Sequence, residues 1–481
     1  MGKTGIGRWA GLSLALLAVT TGALPAQVSQ APALAAPPSL ELPAVAKSRL
    51  ANGIELYVVP MHEVPLVQFM LLIPGGGRAD GDLPGLASFT AGMLDEGADT
   101  LDAFGLAAQT AFLGATLGAG ADWDYTVVSM KAPKRTLEPA LRLMSDVVLR
   151  PTFASAEVQR QRDLRLAAIL QQRDQPNAVA TLAHDALLFP EDHPYHRSLG
   201  GDSASTAVLD SATVRDFYRR AYAPAGARLV VTGDLTAEEA RALAERHFAT
   251  WQGSAAATAA EPGEGATDRA TTVYLVDKPG AAQSVLRLGH AGASRSNPDY
   301  AALEVMNTIL GGSFSSRLNF NLRETRGYTY GAGSGFGWRP VAGPFIAATD
   351  VRTDVTDSSL TEIFNELRRM RDSQVSSAEL ERAKAYMALG LGAEFETTTQ
   401  MAGQVAELIR FGLPLDYYDG YVQQIMAVTA EDVQRAAREY LRPDRMTIVI
   451  VGDVARIRSG IEALGLGPVE IRDMYGDAVT E

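Results

Sequence analysis

Short runs of aliphatic and β-branched residues alternate along this chain with stretches of helical period. Residues 54–59, 67–73 and 125–130 read as strands in the first half, and the first two are expected to pair across their Pro- and His-containing connection. Residues 272–276, 284–288 and 345–349 read the same way in the second half. Amphipathic helices are predicted over residues 101–113, 135–149, 155–173, 237–247, 300–309, 358–371, 377–391 and 400–411. Strands followed by groups of helices in each half predict an α+β fold, each half a mixed β-sheet with helices on one face.

Two segments repeat one another. Residues 214–234 read VRDFYRRAYAPAGARLVVTGD and residues 433–453, 219 positions later, read VQRAAREYLRPDRMTIVIVGD. Without gaps they match at Val214/Val433, Arg219/Arg438, Pro224/Pro443, Val231/Val450, Gly233/Gly452 and Asp234/Asp453. Each copy runs from a helix through a Pro-containing turn into a buried-type strand and a Gly-Asp exit, so a duplication is the economical explanation. Between the halves, residues 252–270 are small, polar and Pro/Gly-containing and read as a linker. At the start, Lys3 and Arg8 precede an apolar run from Trp9 to Val19 and then small residues. That pattern predicts an export signal cleaved after Ala26 or Ala35 and a periplasmic protein, with an uncleaved anchor as the alternative. The expected organisation is a signal and flexible segment over 1–35, a first domain over 36–251, the linker 252–270 and a second domain over 271–481.

Composition narrows the chemistry. The chain is 481 residues long with a net charge of -13, which disfavours nucleic acid or an anionic membrane as a partner. It has no cysteine, so disulfides, thiolate metal sites and cysteine nucleophiles are excluded. Of the six histidines, only His193 and His196 are close in sequence, and Pro194 between them argues for a loop. A loop H-x-x-H could bind metal only with a distant third ligand. His184 and His247 stand singly on helices, where a hydrogen-bonded structural role is expected. There is no G-x-S-x-G elbow, and residues 311–316, GGSFSS, read as a turn that starts a helix with a Ser cap.

Several segments together resemble the M16 (inverzincin) peptidases. They are Leu50-Ala51-Asn52-Gly53, Gly85-Leu86-Ala87, Met93-Leu94-Asp95-Glu96-Gly97, His193-Pro194-Tyr195 with Leu199-Gly200, Leu322-Arg323-Glu324 with Gly327 and Tyr330, Gly343-Pro344-Phe345 and Val351-Arg352-Thr353-Asp354. The resemblance implies two homologous domains enclosing a cavity. Active members carry H-x-x-E-H on a helix, where two His one turn apart share zinc and the Glu activates its water. Here Ser88 and Gly92 stand at the two His positions, Ala91 at the general-base position and Ala168 at the third-ligand position on a later helix. Ala and Gly have no donor atom and a Ser hydroxyl is a poor zinc ligand, so no metal is expected on this chain.

The second half keeps its equipment. The resemblance implies that Arg323 and Tyr330 hydrogen-bond a bound peptide and polarise its scissile carbonyl, the alternative being that Arg323 pairs with Glu324 or Glu362 and Tyr330 packs at a strand edge. The resulting expectation is a non-catalytic, substrate-binding subunit of a heterodimeric zinc metallopeptidase. Its partner is a homologous subunit carrying H-x-x-E-H and the zinc, its substrates are peptides, and it is not stably inserted in a membrane. A scaffold or binding protein without a peptidase partner is the alternative. An enzyme of some other chemistry finds no support in the residues.

Overall fold

A computed structural model describes residues 42–253, 266 and 268–479. These lie in one unit that spans Pro37–Glu481. The signal segment and most of residues 252–270 fall outside the described residues. The strands, in chain order, are β1 (Ala46–Arg49), β2 (Glu55–Pro60), β3 (Leu66–Pro74), β4 (Gly97–Ala98), β5 (Leu101–Asp102), β6 (Thr116–Ala121), β7 (Tyr125–Pro133), β8 (Arg228–Gly233), β9 (Thr272–Asp277), β10 (Gln283–Ala291), β11 (Thr329–Phe336), β12 (Pro344–Arg352), β13 (Thr447–Gly452) and β14 (Val469–Arg472). They build two six-stranded sheets, β1-β2-β8-β3-β7-β6 and β11-β12-β10-β13-β9-β14, and a small β4-β5 ladder.

The sheets repeat. Setting aside β1 and β14 at the ends, β2, β8, β3, β7 and β6 follow the same order as β9, β13, β10, β12 and β11. In each set one parallel pair, β2·β8 or β9·β13, adjoins antiparallel ladders. The repeated segments supply β8 and β13 in equivalent places, as a duplication requires. The expected pairing of the first two long strands is corrected, because β8 lies between β2 and β3 and pairs with both. A strand from the far end of the half fills that slot, so the short connection after Pro60 is not a hairpin.

The expectation of helices on one face only is also corrected. On β3, Phe69, Leu71 and Ile73 join a core with Leu141 and Val147 of the helix Leu137–Leu149 and Phe217 of the helix Ser211–Ala221. Leu72, pointing to the opposite face, joins a core with Met401, Ala402 and Val405 of the second-half helix Thr398–Phe411. That helix packs on β3 and β8. Thr232 Oγ1 donates to Thr398 O at 2.6 Å, and Thr399 Oγ1 to Gln68 Oε1 at 3.1 Å. Reciprocally, the first-half helix Pro176–Leu188 packs on β10 and β13, setting Val179, Ala180 and Ala183 against Val285 and Val449. Gly289 on β10 permits that approach, since a Cβ there would lie 2.5 Å from His184 Nε2. The halves are interlocked by an exchange of helices. Strands covered on both faces read as continuous apolar runs rather than alternating ones, which is the pattern of β3, β8 and β13. Each fully buried Leu or Phe contributes about 1.5–3 kcal/mol of transfer free energy.

Helix starts are marked chemically. Thr236 with Glu239 and Ser376 with Glu379 form reciprocal capping boxes at the helices Ala237–Phe248 and Ser377–Gly390. No helix among the described residues is long and apolar enough to cross a membrane.

Candidate functional site

The helix Leu86–Gly92 carries Ser88, Ala91 and Gly92, three of the four positions that the resemblance sets against the family's ligands and base. Its N-terminal turn is held by Asp80, whose Oδ2 accepts from the Gly85 N–H at 2.7 Å and whose Oδ1 accepts from the Ala87 N–H at 2.6 Å. Burial pushes the Asp80 carboxyl up to about 6, against the opposing pull of those N–H groups and of the Arg165 and Arg197 charges. A carboxylate at a helix start is favourable by itself, so burial outweighs the dipole here.

The helix Ser155–Gln172 crosses nearby and delivers Arg165. Its Nη1 donates to Ser88 Oγ at 3.0 Å, to Gly85 O at 3.1 Å and to Gly200 O at 3.4 Å. Its guanidinium lies 4.9 Å from the centre of the Phe89 ring. Ser88 in turn donates to Gly85 O at 3.0 Å. Burial lowers the Arg165 proton affinity and the charge of Asp80 opposes that shift. Gly92 and Ala168 line one cavity of about 370 Å³ with Phe89, Arg165 and Gly200, whereas Ala91 is fully buried in the core. Two of the four positions therefore share the cavity, Ser88 is tied to it through Arg165, and Ala91 lies in the core.

These residues do not fit a zinc ion. Neither Gly92 nor Ala168 offers a donor, the Ser88 hydroxyl is already engaged, and a fixed guanidinium beside the spot repels a second cation. Among the described residues no group of three His, Asp or Glu side chains is placed to hold a metal. The loop histidines are used structurally: His193 Nδ1 accepts from the Tyr195 N–H and its ring stacks on Phe189, while His196 Nδ1 bonds Phe189 O at 3.1 Å. His184 and His247 each leave a buried Nε2 without a hydrogen bond among the described residues. Glu96, in the bend after the first of these helices, pairs with Arg160 of the second.

Arg323 and Tyr330 occupy a different surface. Arg323 lies in a wide π-helical turn, Phe320–Thr325, in which the Arg326 N–H reaches back five residues to Asn321 O at 2.9 Å. Its Nε stands 3.4 Å from Glu324 Oε1 and its guanidinium 4.7 Å from the Phe314 ring centre. The alternative pairing with Glu324 is thus formed, while Glu362 is taken by Arg326 and Asn321. Tyr330 is 90% exposed on β11, the edge strand of its sheet. The register shifts between Thr329 and Ala332, and Thr329 Oγ1 pins that bulge by donating to Asp350 O at 2.7 Å and accepting from the Gly331 N–H at 3.0 Å. A bulge on an edge re-aims a side chain, here toward solvent. Phe314 and Phe320 beside Arg323 are exposed as well. Among the described residues no hydrogen bond joins Arg323 to Tyr330, or either one to the Ser88 region.

Arg165 and Asp80 were not among the residues singled out from the sequence. The available signal was slight: Arg165 stands one helical turn before Ala168, so it shares that helix face.

Comparison with known proteins identifies the fold and the family. A crystal structure described as the peptidase M16 inactive domain from Pseudomonas fluorescens superposes with a TM-score of 0.79 at 30% identity, covering 85% of this chain and 98% of that one. A protease from Helicobacter pylori shares the fold, with a TM-score of 0.77 at 19% identity over 85% of this chain and 100% of that one. An uncharacterized zinc protease of Mycobacterium leprae is 27% identical over 406 residues, 82% of this chain and 89% of its own length. Another from Bacillus subtilis is 24% identical over 399 residues, 82% of this chain and 95% of its own. The family model for insulinase (peptidase family M16) matches residues 59–199, and that for the peptidase M16 inactive domain matches residues 209–387. The chain belongs to peptidase family M16, with a helix pair whose residues do not suit the family's metal.

Proposed function

We propose that this chain is the non-catalytic, substrate-binding subunit of a heterodimeric zinc metallopeptidase, presenting Arg323 and Tyr330 to a zinc site held by a homologous partner with an intact H-x-x-E-H helix. The observation that carries this reading is the contrast between a first half with a guanidinium among its vestigial ligand positions and a second half with an exposed Tyr330 on a bulged edge strand. Arg323 and Tyr330 offer directed donors of the kind that hold a peptide carbonyl. An exposed edge strand also offers backbone groups to an extended peptide. Export to the periplasm belongs to the same proposal and rests on the charged and apolar start of the chain.

Co-expression with the homologous partner should give a 1:1 complex that contains one zinc and cleaves peptides, while this chain purified alone holds none. Arg323→Ala and Tyr330→Phe are each expected to lower kcat/KM of that complex by about 10- to 100-fold. Full activity in both variants rejects the role given to the pair. A second reading, a scaffold with no peptidase partner, is favoured by the Arg323–Glu324 contact, which already engages the guanidinium. Absence of any binding partner and of any activity would support it.

A further inference from the structure

We infer that the cavity between the helices Leu86–Gly92 and Ser155–Gln172 is a carboxylate-recognition site for an acidic peptide segment, read by Arg165 where active members of the family hold a metal. Arg165 is tethered through Nη1 alone. Among the described residues its Nε and Nη2 make no hydrogen bond and the guanidinium enters no ion pair. The free side of the fork is the geometry that accepts a carboxylate in two parallel bonds. Asp80 does not supply that partner, since both its oxygens are committed to the Gly85 and Ala87 N–H groups.

The surroundings favour an anion. Among the described residues lining this cavity, Arg165 is the only charged one, in a chain whose net charge is -13. The Asp80 charge reaches this guanidinium without a direct ion pair, so a carboxylate on the free edge can still add two charge-assisted bonds. The volume of about 370 Å³ lies within the range of ligand sites, roughly 300–1,000 Å³. The cavity also continues. A second one of about 450 Å³ shares Ile169, Gln172, Ser198 and Gly201 with it and adds Arg173 and Arg197 over an apolar floor of Leu182 and Met474. Arg197 donates to Gly81 O at 2.9 Å and Arg173 to the Tyr475 hydroxyl at 3.4 Å, and neither forms an ion pair among the described residues. Of the acids on these walls, Asp202 caps the helix Ser203–Ala207 and Asp477 stands on the C-terminal tail. Guanidinium groups spaced along an apolar floor suit an extended segment with more than one carboxylate.

The test uses the purified full chain without a partner and fluorescence anisotropy of dye-labelled hexapeptide amides. A Glu-containing peptide should bind at least about tenfold more tightly than its Gln counterpart, a preference that salt weakens and Arg165→Gln abolishes. A Gln peptide with a free C-terminus separates the two sources of carboxylate: binding equal to the Glu peptide assigns the terminal group, and binding equal to the amide assigns the side chain. Equal binding of Glu and Gln amides by the wild-type chain overturns the inference, as does a preference undiminished in Arg165→Gln. If circular dichroism shows that Arg165→Gln does not fold, the Arg173→Gln/Arg197→Gln variant decides. Its Glu preference should fall at least about threefold, and no change rejects the groove. Neither zinc nor a partner enters this measurement, so its failure leaves the heterodimer reading standing.

Discussion

In the first half a guanidinium is drawn between two helices and tied to Ser88, Gly85 and Gly200; in the second, Arg323 is 36% exposed beside Glu324 and Tyr330 is almost wholly in solvent. Both halves have the same inner strand order, and each lends a helix to the other's sheet. The shared part is therefore the scaffold and the divergent part is the polar surface laid on it. Two local devices produce the divergence. Gly92 and Ala168, which carry little or no side chain, leave a cavity that Arg165 lines. A bulge in β11 and a π-helical turn beside it push Tyr330 and Arg323 outward. A fold can thus vary the polar surface of each half while keeping the inner strand order.

The exchange of helices is the strongest point at which to break that shared scaffold. Gly289→Ala puts a Cβ 2.5 Å from His184 Nε2 and 3.0 Å from Phe345 O, so the helix Pro176–Leu188 must shift off β10. We expect a loss of about 2–3 kcal/mol in urea unfolding. A change below about 0.5 kcal/mol would mean that the helix does not depend on this close approach. Arg165→Ala comes next, at about 1–2 kcal/mol, because the lost charge-assisted bonds are partly offset by removing a half-buried charge. A stabilised variant would show that Arg165 is held at a net cost for binding.

How much of this could be read from the residues divides along the same line. The buried strands were legible because Val and Ile runs covered on both faces have no other economical structure, as in residues 228–233 and 447–452. The edges were not: β6, TLGAGA, and β11, TYGAGSGF, are Gly-rich and lack the apolar period that announces a strand. Pairing of β2 with β3 was misjudged because adjacency in sequence carries no information about a strand inserted from far away. That Gly92 and Ala168 carry no donor atom was legible, since it is a property of the residue itself. The role of Arg165 was not, because it arises only where two helices meet.

Asp80 offers a smaller effect whose sign distinguishes burial from capping. Its folded carboxyl sits at about 6, above the ordinary value of 3.8, so the folded chain holds that proton more tightly across the interval between. The contribution is fullest below the lower value and falls as the pH rises through about 6. Measured against Asp80→Asn, which does not titrate there, the wild-type margin in unfolding free energy should shrink by about 1 kcal/mol between pH 4 and 7, allowing for partial exposure. A margin that grows with pH would mean that the Gly85 and Ala87 N–H groups outweigh burial.

The smallest expected effect is the sharpest test of the contrast between the halves. Tyr330 is 90% exposed and its hydroxyl makes no hydrogen bond among the described residues, so Tyr330→Phe removes nothing the fold uses. Arg323 has a 3.4 Å contact with Glu324, itself half exposed, and a surface pair of that kind contributes roughly 0–1 kcal/mol. Both variants should unfold within about 0.5 kcal/mol of wild type, at most half the loss expected for Arg165→Ala. That outcome is what the role proposed for Tyr330 requires, since a side chain aimed at solvent by a bulge would then stabilise nothing in its own chain. If Tyr330→Phe instead cost more than 1 kcal/mol, Tyr330 would be part of the fold, and the two halves would differ less than their polar surfaces imply.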